Sequence, residues 1–279
     1  MQTIRLSMTA LLVLSAAVAA GSFAGGCSSG GGNTTDGGGE GGGGNTVTQT
    51  GKIVDYSTKA GVGGMLVSSG TTQVAADTKG NYSLTVTKNQ PYTMTISSDP
   101  DAGGTGYLTL DEQEWMLIGD ADRGQTSAVS NGTEGLLKSI LNPPPDPALA
   151  VLSIQVKASN PDGGACTSAT GATISVPGLA ADGGTGAHLV YFAGTPTALP
   201  DPNATSVTDG LVPSAIIYDM PVGLFSAVTV TPPAGCTVEA FPIAEPTAPN
   251  IMYTGNVKLE ASQTAAGVNV ASFMRVFLK

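Results

Sequence analysis

The chain has 279 residues, including 39 glycines and 18 prolines, and only 5% of its residues are aromatic and 11% charged. This composition is typical of many short strands joined by tight turns, and it excludes a fold built on long helices. The formal net charge of −10 gives no attraction to phosphate backbones, so we exclude nucleic acid as a partner.

Residues 1–26 predict an export signal peptide. Arg5 precedes a long apolar stretch, and a run of small residues then ends at Cys27. The sequence AGGC at residues 24–27 resembles the lipobox of bacterial lipoproteins, in which the cysteine receives a diacylglycerol. The resemblance implies a membrane anchor through lipid on Cys27, and Ser28 after it favours the outer membrane. The alternative, an uncleaved transmembrane anchor, needs about 20 strongly apolar residues, whereas this segment ends rich in glycine and serine.

A glycine-rich linker separates this anchor from the folded part. Residues 27–46 hold few apolar side chains and cannot offset the entropy lost on ordering, so they predict a flexible tether. The remaining length suits two domains, at residues 47–143 and 149–279, joined at a proline run. We expect an all-β fold of two antiparallel β-sandwiches, immunoglobulin-like or transthyretin-like.

The first predicted domain shows its clearest strand after a turn that ends at Gly80. Tyr82, Leu84 and Val86 alternate with polar residues, which is the period of a strand with one buried face. Gly80 suits the left-handed position of a type I turn with a bulge, which closes a hairpin. Residues 133–141 are the one clear helical candidate, and the prolines that follow stop the helix.

Three short motifs lie between residues 51 and 82 of this domain. They are a G-x-hydrophobic-x-D segment, a glycine-containing bend before a strand, and a D-x-x-G-x-aromatic hairpin. Their residues are Gly51, Ile53, Asp55, Val62, Gly64, Val67, Asp77, Gly80 and Tyr82. Together they resemble the carboxypeptidase regulatory-like, or transthyretin-like, family. The resemblance implies a seven-stranded sandwich that serves as an accessory, stabilising or binding unit without catalytic residues of its own.

One segment of the same domain is strongly acidic. Residues 99–122 contain seven acids and no lysine or arginine. Calcium takes about six to eight oxygen ligands, and loops rich in aspartate and glycine supply them. The candidate ligands are Asp99, Asp101, Asp111, Glu112, Asp120 and Asp122. The spacing of an EF-hand loop is absent, so we favour the alternative, a solvated acidic face.

Two aromatic residues in this segment, Tyr107 and Trp115, are candidates for stacking on a glycan. Such stacking needs an exposed ring. Trp115 lies within a short apolar run, Trp115 to Ile118, which favours the alternative of a buried strand residue.

The second predicted domain ends in a strand with strong alternation. Its apolar residues on one face, interrupted only by Ser272, are Val268, Val270, Met274, Val276 and Leu278. We expect this strand to lie centrally in its sheet.

Apart from Cys27, the chain has two cysteines, Cys166 and Cys236, both in the second predicted domain. Export places them in an oxidising compartment, so we predict a disulfide between them. Such a bridge contributes on the order of 2–4 kcal/mol to stability.

The chain has one histidine, His188, at the head of an apolar strand. Zinc peptidases usually need several imidazoles, and serine or cysteine hydrolases need a base beside the nucleophile. We therefore expect a structural or solvated histidine, no enzyme activity and no cofactor other than the calcium considered above. A glycosidase with paired carboxylates would usually need a larger cleft.

These features predict a non-catalytic, lipid-anchored protein of the cell envelope, placed at the outer membrane. Its function would be binding or interaction, with an envelope protein or a glycan as partner. One alternative is a calcium-stabilised adhesion protein or structural spacer, which a melting experiment with calcium and with chelator would test. Another is a carbohydrate-binding module, which requires an exposed Trp115 or Tyr107.

Overall fold

The computed structural model describes residues 44–99, 106–159, 165–179, 186–193, 199–226 and 228–279. The predicted signal peptide, Cys27, most of the linker and Asp101 lie outside these residues. The strands are β1 (Thr46–Asp55), β2 (Met65–Ser69), β3 (Thr72–Ala75), β4 (Asn81–Thr87), β5 (Met94–Ser98), β6 (Thr109–Glu112), β7 (Trp115–Leu117), β8 (Ala121–Ala128), β9 (Ala150–Ala158), β10 (Thr173–Ser175), β11 (His188–Ala193), β12 (Leu199–Asp201), β13 (Ala215–Met220), β14 (Gly223–Phe225), β15 (Thr229–Thr231), β16 (Ile243–Glu245), β17 (Ala248–Tyr253), β18 (Val257–Leu259) and β19 (Val270–Leu278). The predicted all-β class is confirmed.

Nine strands form the largest sheet, in the order β12-β11-β13-β9-β19-β6-β5-β2-β3. β19 lies at its centre, as predicted, and runs parallel to both β9 and β6. Because both faces of this central strand are covered, apolar residues are buried on both sides of β19 and not on one face alone. Antiparallel pairing was expected throughout and is found for most pairs, but β1 with β8 is a further parallel pair.

This sheet takes strands from both predicted domains. β2, β3, β5 and β6 come from residues 47–143, and β9, β11, β12, β13 and β19 come from residues 149–279. Residues Gly43–Lys279 belong to one compact unit. The division into two domains stays a prediction.

The two faces of the sheet differ along β9 and β19, because side chains alternate along a strand. Ile154, Val156, Met274 and Val276 point to one face and join a large apolar core. The residues between them, which include Gln155 and Arg275, point to the opposite face. That opposite face carries polar groups at the middle of the sheet.

A second core lies between the β2, β5 and β7 strands and a three-stranded sheet ordered β4-β1-β8. Tyr82, Leu84 and Val86 of β4 are buried with exposed residues between them, as their alternation predicted. Gly80 has φ +84°, and a Cβ there would collide with the carbonyl oxygen of Ile53. The hairpin therefore requires glycine at this position.

Within the described residues the chain forms one helix, α1 (Asn131–Ile140), close to the predicted 133–141. Ser130 caps it, because its hydroxyl accepts a hydrogen bond from the Thr133 N–H at 3.2 Å. Leu141 is already extended, so the helix ends before the prolines. In the described part of the chain, no helix has the length and apolar character needed to cross a bilayer.

The predicted disulfide between Cys166 and Cys236 is confirmed, across a sequence separation of 70 residues. Cys166 is fully buried in the core on the β9 face of the large sheet, and Cys236 packs against that core. The bridge thus fastens two loops to the interior of the second half of the chain.

Candidate functional site

A cavity of about 360 Å³ lies at the polar middle of the large sheet. Residues of β1 and β8 line it together with residues of β9 and β19. Its polar lining residues are Lys59, Arg123, Gln125, Thr126, Ser127, Ser153, Gln155, Lys157, Glu245, Thr247 and Arg275. A volume of this size accommodates a small molecule.

A β-bulge in β8 brings two polar side chains of this strand into the cavity wall. Thr50 pairs with Asp122 and Lys52 pairs with Gln125, so β8 contains one more residue than β1 between these two pairs. The alternation of side chains along β8 therefore shifts by one position. Gly124 has φ +71°, and its N–H donates to Asp122 Oδ1 at 2.9 Å. As a result Arg123 and Thr126, which would face opposite ways in a regular strand, both line the cavity.

Arg123 forms an ion pair with Glu112 in the interior, and their side chains are 2% and 1% exposed. Glu112 lies on β6 beside β19, and its Oε2 atom is also 3.9 Å from Arg275 Nη1. Burial alone would lower the pKa of Arg123, but the Glu112 carboxylate, together with Tyr253, Tyr82 and Glu245, more than offsets this, so the pKa is raised. Arg123 therefore remains a cation although it has little contact with water.

Arg275 connects this pair to a second one through a chain of hydrogen bonds. Its Nε donates to Gln155 Oε1 at 3.3 Å, and its Nη1 donates to the Tyr253 hydroxyl at 3.0 Å. The Tyr253 hydroxyl in turn donates to Glu245 Oε2 at 3.1 Å, while Lys157 Nζ lies 3.5 Å from Glu245 Oε1. These contacts fix the orientation of Arg275 at the cavity wall.

Several buried polar atoms in and beside this network have no hydrogen-bond partner among the described residues. At Arg123 they are Nε and Nη1, which together carry three N–H groups. The hydroxyl of Thr126, on the same wall, is also unpartnered. The set also includes an acceptor of the same ion pair, Glu112 Oε1. These atoms are closed off from the cavity, so they mark incomplete hydrogen bonding within the buried network, which is costly.

The candidate calcium ligands are not brought together by the described structure. Asp111 is buried and accepts a hydrogen bond from the Thr95 hydroxyl at 2.5 Å, while Glu112, next in the chain, is paired with Arg123. Asp120 accepts from the Thr48 N–H at 2.8 Å, and Asp122 caps the bulge. Asp99 is described and has an interaction of its own, and Asp101 is outside the described residues. No group of three or more acids, histidines or cysteines suited to a metal occurs in the described ranges.

The two aromatic candidates for glycan stacking have different surroundings. Trp115 is fully buried, as the strand interpretation predicted, between Tyr92 at 4.5 Å and Arg123 at 5.3 Å. Its ring therefore presents no surface to a sugar. Tyr107 is half-buried beside Asp55, and burial raises the pKa of its hydroxyl.

His188 lies at the start of β11, where its ring stacks on Tyr218 at 5.0 Å. Its Nε2 atom is 3.8 Å from Asp219 Oδ2. The imidazole is thus held by packing and by one nearby carboxylate, which fits a structural role. Among the described residues that line the 360 Å³ cavity, none is a histidine.

Sequence reasoning missed Arg123 and Arg275, the two arginines that pair with Glu112 and line the cavity. One signal was present, because Arg275 is the single charged residue within the apolar strand Val270–Leu278. Arg123 directly follows the acidic segment in a chain that has only 11 lysines and arginines. Nothing in the local pattern indicated that the two side chains share Glu112 as a partner.

No family profile matches the chain, and no curated protein matches it. Among solved structures, the Bacillus anthracis TIE protein is similar over 84% of this chain and 34% of its own length, with 10% identity and a TM-score of 0.24. The chain spans about a third of that protein. A likeness at this level carries no argument about fold or function.

Proposed function

We propose that this chain is a non-catalytic binding protein of the bacterial cell envelope, anchored through lipid on Cys27, that holds a small ligand in the 360 Å³ cavity. The observation that carries the proposal is the cavity itself, whose wall combines the cations Arg275 and Lys157 with amide and hydroxyl side chains. The lipobox-like sequence at residues 24–27 supports the location. The Cys166–Cys236 disulfide is consistent with an oxidising compartment.

The resemblance of residues 51–82 to carboxypeptidase regulatory-like domains supports a binding role without catalysis. The cavity wall supplies cations, amides and hydroxyls, which bind and orient a ligand. General acid–base catalysis would need two titratable side chains whose pKa values lie near neutral pH. In this proposal the outer-membrane lipid anchor holds the cavity at the envelope, where it takes up its ligand.

A retention experiment on the purified full chain in detergent tests the proposal. The chain is incubated with an extract of small molecules from cells, passed through a desalting column, denatured, and the released compounds are identified by mass spectrometry. Ser153→Phe places a ring in the cavity, since Ser153 lines it. Ser83→Phe, on the exposed face of β4, is the matched control.

We expect compounds that the wild-type chain and Ser83→Phe retain and that Ser153→Phe loses. Ser153→Leu, a smaller change, is expected to reduce retention and keeps the test informative if the phenylalanine variant does not fold. Equal retention by wild type and both folded Ser153 variants would refute a ligand in this cavity. Loss of membrane association in Cys27→Ser tests the anchor separately.

A further inference from the structure

A second cavity lies directly beside the first and differs sharply from it in chemistry. It measures about 80 Å³ and lies under helix α1, where Leu137, Leu141, Ile216 and Val270 contribute to its wall. Its lining surface is almost entirely apolar. The residues that line both cavities are Tyr56, Leu110, Val129, Ser153 and Pro213. The two cavities are therefore neighbours with a common wall.

The larger cavity carries an excess of positive charge at its polar end. Arg123, Arg275 and Lys157 are the cations, and their partners Glu112 and Glu245 are the carboxylates. Three cations against two carboxylates leave one positive charge, before Lys59, which also lines the cavity, is added. This local excess occurs in a chain whose net charge is −10.

Arg275 and Lys157 indicate the chemistry that would complete the site. Their side chains are partly exposed, at 14% and 38%, so a group in the cavity can reach them, whereas the Arg123 side chain is closed off beside Glu112. An anionic oxygen is the acceptor that forms the strongest hydrogen bonds with a guanidinium. It would also reduce the excess positive charge, so the ligand's head group is an anion.

The volume of the apolar cavity limits the size and shape of the apolar part of the ligand. A cavity of about 150 Å³ is known to accept benzene, so the smaller one here suits a short aliphatic chain better than an aromatic ring. We infer that the two cavities together bind a small aliphatic monocarboxylate, with its carboxylate at Arg275 and Lys157 and its alkyl tail under helix α1. This inference rests on the proposed function and names the class of ligand that the larger cavity takes.

Fluorescence titration of the full chain in detergent tests the inference, because Trp115 lies beside Arg123 and is the one tryptophan. The probes are hexanoate, 1-hexanol, acetate and inorganic phosphate. We expect hexanoate to give a saturable change in emission, and 1-hexanol to bind at least about tenfold more weakly because it lacks the charge. Acetate is expected to be weaker by on the order of a hundredfold, since each buried methylene contributes about a factor of four.

Matched variants distinguish the binding of the carboxylate head of hexanoate from the binding of its alkyl tail. Lys157→Gln and Arg275→Gln are expected to weaken hexanoate about tenfold each, whereas Lys258→Gln, an exposed lysine paired with Glu260, leaves it unchanged. Ala271→Leu fills the apolar cavity, so it should lower the affinity for hexanoate towards that for acetate and leave acetate unaffected. Lys157 is partly exposed, so its replacement should perturb folding less than replacement of the buried Arg123.

Four results would overturn the inference: no response to hexanoate in a folded chain, equal binding of 1-hexanol, tighter binding of phosphate, or equal weakening by Lys258→Gln. If hexanoate fails while the retention experiment still finds a ligand that Ser153→Phe loses, the carboxylate assignment is wrong and the proposed function stands. If retention also fails, the proposed function is wrong.

Discussion

The guanidinium of Arg123 lies over the indole of Trp115, with its central carbon 5.3 Å from the ring centroid. The indole is fully buried, and the arginine is on the cavity wall. A cation over an aromatic face is attracted to it, and the attraction grows when both groups are removed from water. The contact therefore couples the one tryptophan of the chain to the polar end of the cavity.

Trp115 is expected to report a buried environment in the folded chain. Its emission should be blue-shifted and protected from acrylamide, because no part of the ring is exposed. Steady-state fluorescence in buffer and in denaturant measures this. Emission near that of free tryptophan, with full quenching in buffer, would contradict the burial on which the cavity depends.

Removing Arg123 alone should destabilise the chain strongly. Arg123→Met leaves the Glu112 carboxylate buried with only the more distant Arg275, and breaking a buried ion pair in this way costs about 3–5 kcal/mol in the free energy of unfolding. The double variant Arg123→Met/Glu112→Leu removes both charges and should recover most of the loss. Denaturant titration of the wild type and the variants measures this, and a double variant as unstable as the single one would show that the charge pair is not the cause.

Asp111 should make the chain less stable as the pH rises. Burial raises the pKa of its carboxyl, and the Glu260 charge adds to this, while the Thr95 hydroxyl and Lys258 oppose it. The folded chain then holds this proton to a higher pH than the unfolded chain does. The stabilising contribution is complete below the ordinary pKa of 3.8 and is lost as the pH rises through the folded value.

Asp111→Asn cannot ionise, so we expect it to be more stable than wild type at neutral pH and close to wild type at about pH 3. Denaturant titrations at the two pH values measure the difference. A variant that is less stable at neutral pH would show that the ionised carboxylate contributes favourably there.

Asp55 should behave in the opposite way. Burial alone would raise the pKa of its carboxyl, but hydrogen bonds donated by the Thr58 N–H and hydroxyl and by the Ser57 N–H outweigh it and lower the pKa. Its stabilising contribution is therefore present above the ordinary value of 3.8 and is lost as the pH falls through the folded value. Asp55→Asn should be less stable than wild type at neutral pH, and the gap should close in acid.

The hairpin before β4 should not tolerate a side chain at Gly80. Gly80→Ala combines a left-handed backbone with a collision against the Ile53 carbonyl, so it should cost more than the about 1–2 kcal/mol of the backbone term alone. Gly70→Ala is the matched control, because Gly70 also has positive φ, +57°, but open space around its Cβ position. Equal losses in thermal midpoint for the two variants would mean that the close approach is unimportant.

The Cys166–Cys236 bridge should contribute on the order of 2–4 kcal/mol, since it closes a long loop in the unfolded chain. Replacing both cysteines with alanine should lower the thermal midpoint and abolish the change in gel mobility that reduction causes. An unchanged midpoint would show that the surrounding core holds these loops without the bridge.

The local features of the fold were predictable because they depend on neighbouring residues. The alternation of Tyr82, Leu84 and Val86, the left-handed Gly80 and the helix capped by Ser130 all follow from strand period, turn chemistry and capping. The pairing of β19 with both β6 and β9 does not follow from these local features, since hydrophobic periodicity identifies a strand but not the strands beside it.

The candidate site was predictable only in part. The acidic segment contains Glu112, which does belong to the network, where it forms an ion pair with Arg123. The bulge at Gly124 shifts the alternation of side chains along β8. The alternation of apolar and polar residues in the sequence therefore does not predict that Arg123 points inward. The approach of both Arg123 and Arg275 to Glu112 depends on strands far apart in the sequence.

The central position of β19 has a consequence for the order of assembly. Among the described strands it is the last to be synthesised, and it lies between β9 and β6, so the two parts of the large sheet cannot join until it arrives. A sheet that stays incomplete until β19 has emerged is compatible with crossing a membrane in an unfolded state. In the exported protein that we propose, the large sheet would therefore be completed only after β19 had been translocated.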